Sequence, residues 1–426
     1  METPYWWLDA PLDEKDDGAP QAECDAVIVG AGYTGLSAAI NLARAGKSVQ
    51  VFDSLLPGKG ASSRNGGIAS GNLRYSLTAA TNLLGKENAM AMFREGHEAR
   101  ADLAAFVRDE NIDCDYQANG RFTGAINTAQ LELQKREAAL LAEYLGVEVF
   151  TIDRGQLHGE IGTDIYAGGL VRDDLAMLHP GKFHAGMLRV ARAAGATIFG
   201  RLPVTDYLNN RGVFEISAGG RTIRAGQLIV ATNGYGSAAD KWLRRRLVPV
   251  VSRIVVTGEI PADLMDKLLP KRRAMGETRK LFRYYRPTPD GKRILLGSRE
   301  KALPASPAEN AAHVFAGLLE IFPELEPYGY EYSWKGNVAF SRDELPGLFQ
   351  RDGIIYACGY CGSGVVWARW LGAKAAAKAL GMEAASTCFE TAPPPSIPFY
   401  NGKPWFLPAF MGYYGWQDRR AERTGR

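Results

Sequence analysis

Three groups of residues in this chain have the types and spacing to do chemistry. The first is the turn Gly30-Ala31-Gly32-Tyr33-Thr34-Gly35, a G-x-G-x-x-G, with Asp53 eighteen residues beyond its last glycine and Ser54 beside it. One glycine of such a turn bends the chain, one lets the backbone approach a pyrophosphate, and one lets a helix pack closely on a strand. The helix that follows offers unpaired N–H groups and a partial positive charge to phosphate. An acid placed like Asp53 accepts from ribose hydroxyls. The chemistry is the holding of a dinucleotide, and the motif alone does not choose between FAD and NAD. The second group is Cys358-Gly359-Tyr360-Cys361. It is a redox dithiol in one reading and two small packing residues in the other. The third group is Tyr284, Tyr285, Arg286 and Trp334. An aromatic pocket keeps water from a bound group, and an arginine clamps a carboxylate. Each of the four is equally readable as sheet packing or a surface ion pair, and no general base stands out.

These residues need elements to position them. Residues 25–29 form a short apolar run, which reads as a buried strand. After the glycine turn, Leu36, Ala39, Ile40 and Ala43 recur at i, i+3, i+4 and i+7, one apolar helix face, and Gly46 closes the helix. Residues 48–52 are the next strand, so the unit is strand–helix–strand and builds a parallel sheet. Residues 61–72 read as loop, and helices are expected at 86–110 and 128–145. A further unit begins at Leu178, with a helix from His179-Pro180 to Ala194 and a strand at 196–199. A meander hairpin (213–216, 222–224) leads to a buried strand, 228–231, that ends in Thr232-Asn233-Gly234. Residues 247–257 and 281–298 alternate like antiparallel strands, interrupted by a helix at 307–322. A strand at 353–357 runs into a glycine-rich turn and an Ala-rich helix, 364–380.

The pattern predicts an α/β fold: a Rossmann-like dinucleotide-binding domain and a second, substrate domain on a mixed or antiparallel sheet. The first is expected from residues 20–85, 151–236 and 340–385, and the second from 86–150 and 237–339. Residues 1–19 read as an arm and 386–426 as an aromatic tail. Only one G-x-G-x-x-G with the right context is present, which argues against a reductase with a separate NAD(P)H domain.

Composition narrows the classes. The chain has 426 residues, 46% hydrophobic and 23% charged, which is ordinary for a globular protein. Its net charge of +3 gives no reason to expect nucleic acid. Five cysteines make an odd number in a large chain, so a reducing, cytoplasmic setting fits better than a disulfide framework. No signal peptide and no membrane-spanning run is read, and no metal-ligand set is proposed. The aromatic clusters Tyr5-Trp6-Trp7 and Trp405 to Trp416 either dock the termini on the protein's own body or touch a membrane surface.

Further segments, in order, resemble the D-amino-acid oxidase-like family of FAD-dependent oxidoreductases, the glycine and sarcosine oxidase group, and within it the γ-glutamylputrescine oxidase-like branch. Ala61-Ser62-Ser63-Arg64-Asn65-Gly66-Gly67 resembles the branch's A-S-G-R-N-G-G loop, which in the family wraps the pyrophosphate and flavin; Ser63 replaces a glycine. Leu178-His179-Pro180 is similar to the family's L-H-P, and Ala231-Thr232-Asn233-Gly234 to its A-T-N/G-G strand end. Val204 stands where the family's backbone meets the adenine. Trp334-Lys335-Gly336, Asp343 to Gly347, and Gly359 to Val365, with Gly362, Ser363 and Gly364, resemble its C-terminal signature. In the family that last turn starts a helix aimed at the flavin, where its N-terminus stabilises negative charge.

The resemblance implies FAD as cofactor. It also implies oxidation of the C–N bond of a small amine or amino acid, by hydride transfer to the flavin with imine release. O2 is the expected acceptor, and a quinone-linked dehydrogenase is the alternative. A γ-glutamylated polyamine, an N-methyl amino acid and a simple amino acid all stay open as substrates. Gly336 stands near the position of the cysteine that tethers flavin in sarcosine oxidases, so FAD is expected to be non-covalent. Leu295 stands where they carry an oxygen-assisting lysine.

Overall fold

The computed structural model describes residues 2–15, 17–236 and 238–423. The first sheet begins with the strand Glu23–Val29, whose Ala26, Val27 and Ile28 are fully buried. It pairs in parallel with Val49–Phe52 on one side and Arg221–Val230 on the other. Strands covered on both faces read as continuous apolar runs, as these do. The order across the sheet is Gly347–Arg351, Ile354–Cys358, Arg221–Val230, Glu23–Val29, Val49–Phe52 and Thr197–Phe199. Val213–Ala218 and Val204–Asn210 extend it as an antiparallel meander. The helices Tyr33–Arg44, Pro180–Ala193 and Gly364–Ala379 bury their apolar faces in the core on this sheet.

The second sheet runs Tyr330–Phe340, Val248–Thr257, Ile294–Arg299, Tyr284–Pro287, Ala274–Glu277, Arg121–Ala125, Gly168–Arg172 and Val149–Asp153. All its pairs are antiparallel except Ala274–Glu277 with Arg121–Ala125. Its outer face carries Val255, Tyr285, Ile294 and Leu296 against the helix Pro307–Leu319 and the segment Ile321–Leu325. Its inner face carries Trp334, Leu295, Ile254 and Val256.

Strand pairing corrects one expected boundary. Residues 151–172 belong to the second sheet, because Val149–Asp153 and Gly168–Arg172 pair there and not with the nucleotide sheet. The termini behave differently from each other. Trp6 is fully buried, whereas the helix Leu407–Arg423 docks through buried Asp418, which accepts from the Lys280 and Leu281 N–H groups at 2.7 and 2.9 Å. Trp405, Phe410, Tyr413 and Trp416 stay about half exposed or more. No described helix is long and apolar enough to cross a membrane.

Candidate cofactor and active site

The glycine turn is fixed by contact. Gly30 has φ +107°, and a Cβ there would lie 3.0 Å from the Ala231 carbonyl oxygen. A Cβ on Gly35 would lie 1.8 Å from the Gly30 carbonyl oxygen, so no side chain fits. The helix Tyr33–Arg44 therefore starts hard against the strand, with Gly32 as its N-cap and no side-chain cap on its first N–H groups. His184 supports the turn from below. Its Nε2 lies 2.8 Å from the Ala31 carbonyl, which only accepts, so Nε2 carries the proton. Burial pushes its pKa down to about 4, and the ring is neutral. Asp53, at the end of the next strand, accepts from the Ala31 and Leu55 N–H groups at 2.8 Å each. Burial raises its pKa.

Above the turn lies a cleft of about 400 Å³. Gly30, Gly32, Tyr33, Thr34, Asp53, Ser54, Ala61, Ser62, Asn65, Val204, Ala231, Thr232, Asn233, Gly362, Gly364 and Val365 line it. These come from loops far apart in sequence, and all stand at positions that the sequence assigned to cofactor binding. Ala31, Gly35, Ser63, Arg64, Gly66, Gly67, Gly234, Gly359 and Ser363 shape the same turns without lining the cleft. Gly359 N–H donates to Asn233 Oδ1 at 3.0 Å, which ties the two strand ends together. Among the lining residues that the sequence did not single out are Tyr235, Asn337, Val338 and Ala339. The last three lie on Tyr330–Phe340, so the cleft runs from the first sheet to the edge of the second. The sterically closed turn, the carboxylate at the strand end and the cleft that runs from one sheet to the other fit the nucleotide half and ring system of FAD.

The substrate-pocket candidates separate. Tyr285 faces the outer side, fully buried, with its hydroxyl 3.0 Å from that of Tyr166. Arg286 is buried and donates to the Gly67 and Leu178 carbonyls at 3.1 and 2.9 Å. Trp334 is buried and donates to the Arg64 carbonyl at 2.8 Å. These three hold the Ser63–Gly67 loop or pack the sheet, and none lines the cofactor cleft. Tyr284 is on the inner face: a Cβ on Gly297 or Gly66 would run into its ring.

Arg299 was missed. It stands one row along the inner face from Gly297, opposite Ser252, which is itself opposite Gly336. Residues two apart on a strand share a face, so Arg299 and Tyr284 project together. Its guanidinium carbon lies 5.3 Å from the Phe340 ring. Burial, with a smaller push from the nearby charge of Arg74, lowers its pKa to about 10, and among the described residues no carboxylate pairs with it. Glu300, the next residue, pairs instead with Arg253 at 2.7 Å.

His179 caps the helix Pro180–Ala193, its Nδ1 accepting from the Lys182 N–H at 3.1 Å. Burial pushes its pKa down to about 4. Cys358 and Cys361 are both free and buried. Burial pushes Cys361 up to about 12 and raises Cys358 as well. A thiol held in its neutral form is a poor redox nucleophile, which argues against the dithiol reading.

Fold and cleft together define a flavin-dependent oxidoreductase of two sheets, one for the nucleotide and one facing it. The chain belongs to the DAO family of FAD dependent oxidoreductases, whose model matches residues 25–378. It is 29% identical to the gamma-glutamylputrescine oxidoreductase of Escherichia coli, over 96% of each chain. It is 28% identical to a probable oxidoreductase OrdL of Rhizobium meliloti, over 97% of each. Among solved structures, glycine oxidase from Geobacillus kaustophilus shares the fold with a TM-score of 0.74 at 19% identity, covering 88% of this chain and 98% of that one. L-amino acid deaminase from Proteus myxofaciens gives 0.71 at 16%, covering 88% and 94%. The protein is an FAD-dependent oxidoreductase.

Proposed function

We propose that this enzyme oxidises the C–N bond of a small amine that carries a carboxylate, with O2 as acceptor. The observation that carries the substrate reading is Arg299, a cation with no opposing acid among the described residues, on the sheet face that borders the cofactor cleft. When bound, FAD supplies the two-electron acceptor for the hydride that leaves the carbon next to nitrogen. The chain's own residues orient and desolvate. Arg299 fixes the carboxylate end of the substrate by charge-assisted hydrogen bonds. Tyr284, Val338 and Phe340 offer apolar surface that excludes water and favours the neutral amine, whose lone pair the reaction needs. The N-terminus of the helix Gly364–Ala379, reached through Gly362 at the cleft wall, favours the negative charge that reduction brings. The named substrates of the relatives support two subclasses, a γ-glutamyl amine and a simple amino acid.

The test is an anaerobic screen in which amino acids, N-methyl amino acids, γ-glutamyl amines and free polyamines are mixed with the holoenzyme. Bleaching of the visible flavin band is followed. Carboxylate-bearing amines are expected to bleach it and free polyamines to leave it unchanged; the reverse order refutes the reading. Peroxide release under air, against reduction of a quinone analogue, decides the acceptor.

A further inference from the structure

The residues before the family match form a strap, and the strap holds the cofactor loop. Tyr5–Trp7 is a single 3-10 turn laid across the junction of the two sheets. Trp6 is fully buried among Ile254, Val256, Leu295 and Trp334 of the second sheet. Its indole N–H donates to the Asn65 carbonyl at 2.9 Å. Its ring stands edge-on to His179, with centroids 4.8 Å apart, and Arg286 lies 5.8 Å from its centroid. Trp7 donates its indole N–H to Ser63 Oγ at 2.8 Å, and the Arg64 guanidinium covers its ring at 4.7 Å. Ser63 in turn donates to the Gly58 carbonyl at 2.8 Å. A glycine at position 63 would leave the Trp7 N–H without this acceptor.

The second sheet completes the grip, Trp334 on the Arg64 carbonyl and Arg286 on that of Gly67. The outer side of the loop is thus held at Ser63, Arg64, Asn65 and Gly67, two of these points, Ser63 and Asn65, by the arm. Asn65 closes the loop from within. Its amide donates to the Ser62 carbonyl at 2.8 Å and its Oδ1 accepts from the Gly67 N–H at 2.8 Å. Its inner side, with Ala61 and Ser62, lines the cleft. The rest of the arm is anchored at both ends, Glu2 on Arg253 at 3.1 Å and Asp17 on Arg192 at 2.9 Å. The family match starts at residue 25, so none of these contacts comes from the matched region's own first strand.

We propose that Trp6 and Trp7 are positioning residues for FAD: they act through Asn65 and Ser63 to keep the 61–67 loop in its binding shape before the cofactor arrives. A loop with its outer hydrogen bonds removed samples other shapes, and apparent affinity falls by the fraction of time it spends in the competent one. Each lost indole N–H bond shifts that fraction by up to about tenfold.

The test is Trp6→Phe, Trp7→Phe and the double variant, which keep ring packing and delete the donors. Each is stripped of FAD and titrated with FAD, and melting is followed with and without the cofactor. The expected result is an FAD dissociation constant raised about threefold to tenfold in each single variant and more than tenfold in the double. The melting temperature of Trp7→Phe apoprotein should stay within about 2 °C of wild type, and the rise brought by saturating FAD should shrink. A dissociation constant within twofold of wild type in Trp7→Phe overturns the proposal. So does an apoprotein that loses as much melting temperature as the FAD-bound form, since that is packing alone. Trp7 is only half-buried, so its variant decides the matter even where Trp6→Phe fails to fold.

Discussion

Acid should weaken this protein through His184, and the size of the effect follows from the site. The ring is neutral and buried, with its one N–H spent on the Ala31 carbonyl inside the glycine turn. Its other nitrogen faces Gly58, where a Cβ would lie only 2.5 Å away. The folded pKa is about 4 against an ordinary 6.5. The depressed value means that the unfolded chain takes up the proton first as pH falls. Stability is therefore fully present above about pH 6.5 and is lost progressively down to about pH 4. Between about pH 7 and pH 5 this one ring accounts for a loss of about 2 kcal/mol, or about 2 °C in melting temperature for a chain of this length. The assay is urea unfolding of the FAD-free protein at both pH values, wild type against His184→Gln. Glutamine places an N–H close to the position of Nε2 and does not titrate. The variant should lose about 2 kcal/mol less than wild type over the same interval. Equal losses would refute the reasoning, because every other titrating group is common to both proteins.

Three further outcomes are expected. Gly35→Ala should abolish FAD binding, read as absence of the visible flavin spectrum, because its Cβ would overlap the Gly30 carbonyl; a yellow protein of normal affinity contradicts this. Arg299→Leu should raise KM about tenfold for carboxylate-bearing amines with a smaller change in kcat; an unchanged KM removes Arg299 from substrate recognition. The double variant Cys358→Ser, Cys361→Ser should keep turnover per bound flavin within about threefold of wild type, and alkylation at neutral pH should leave both thiols unmodified while native, given their raised pKa values. Loss of turnover would revive a redox role.

The nucleotide half of the site was legible because its logic is local. A buried strand, a glycine turn, an amphipathic helix and an acid lie within about thirty residues, and each demands the next. The second sheet was legible as alternation but not as topology. Its parallel contact joins Arg121–Ala125 to Ala274–Glu277, and no local pattern encodes a pairing across that separation. Alternation also hides which face is inner. Tyr284 and Tyr285 are equivalent in sequence, yet one borders Gly66 and the other packs on Phe322. Arg286 shares the face of Tyr284 but is spent on carbonyls of the cofactor loop, a use that only the folded loop defines. His184 carried no motif at all: the sequence drew attention to His179, five residues earlier, because a proline follows it.

The chain shuttles between its two sheets. The nucleotide sheet takes strands from residues 23–52, 197–230 and 347–358, and the facing sheet takes them from 121–172, 248–299 and 330–340. The two halves are neighbours in space but not separable in the gene. A single break anywhere between residues 125 and 330 yields fragments that each own part of both layers, and neither can be moved into another protein as a cassette. Recombination between relatives should therefore succeed by exchanging loops at the cleft rim and fail by exchanging halves.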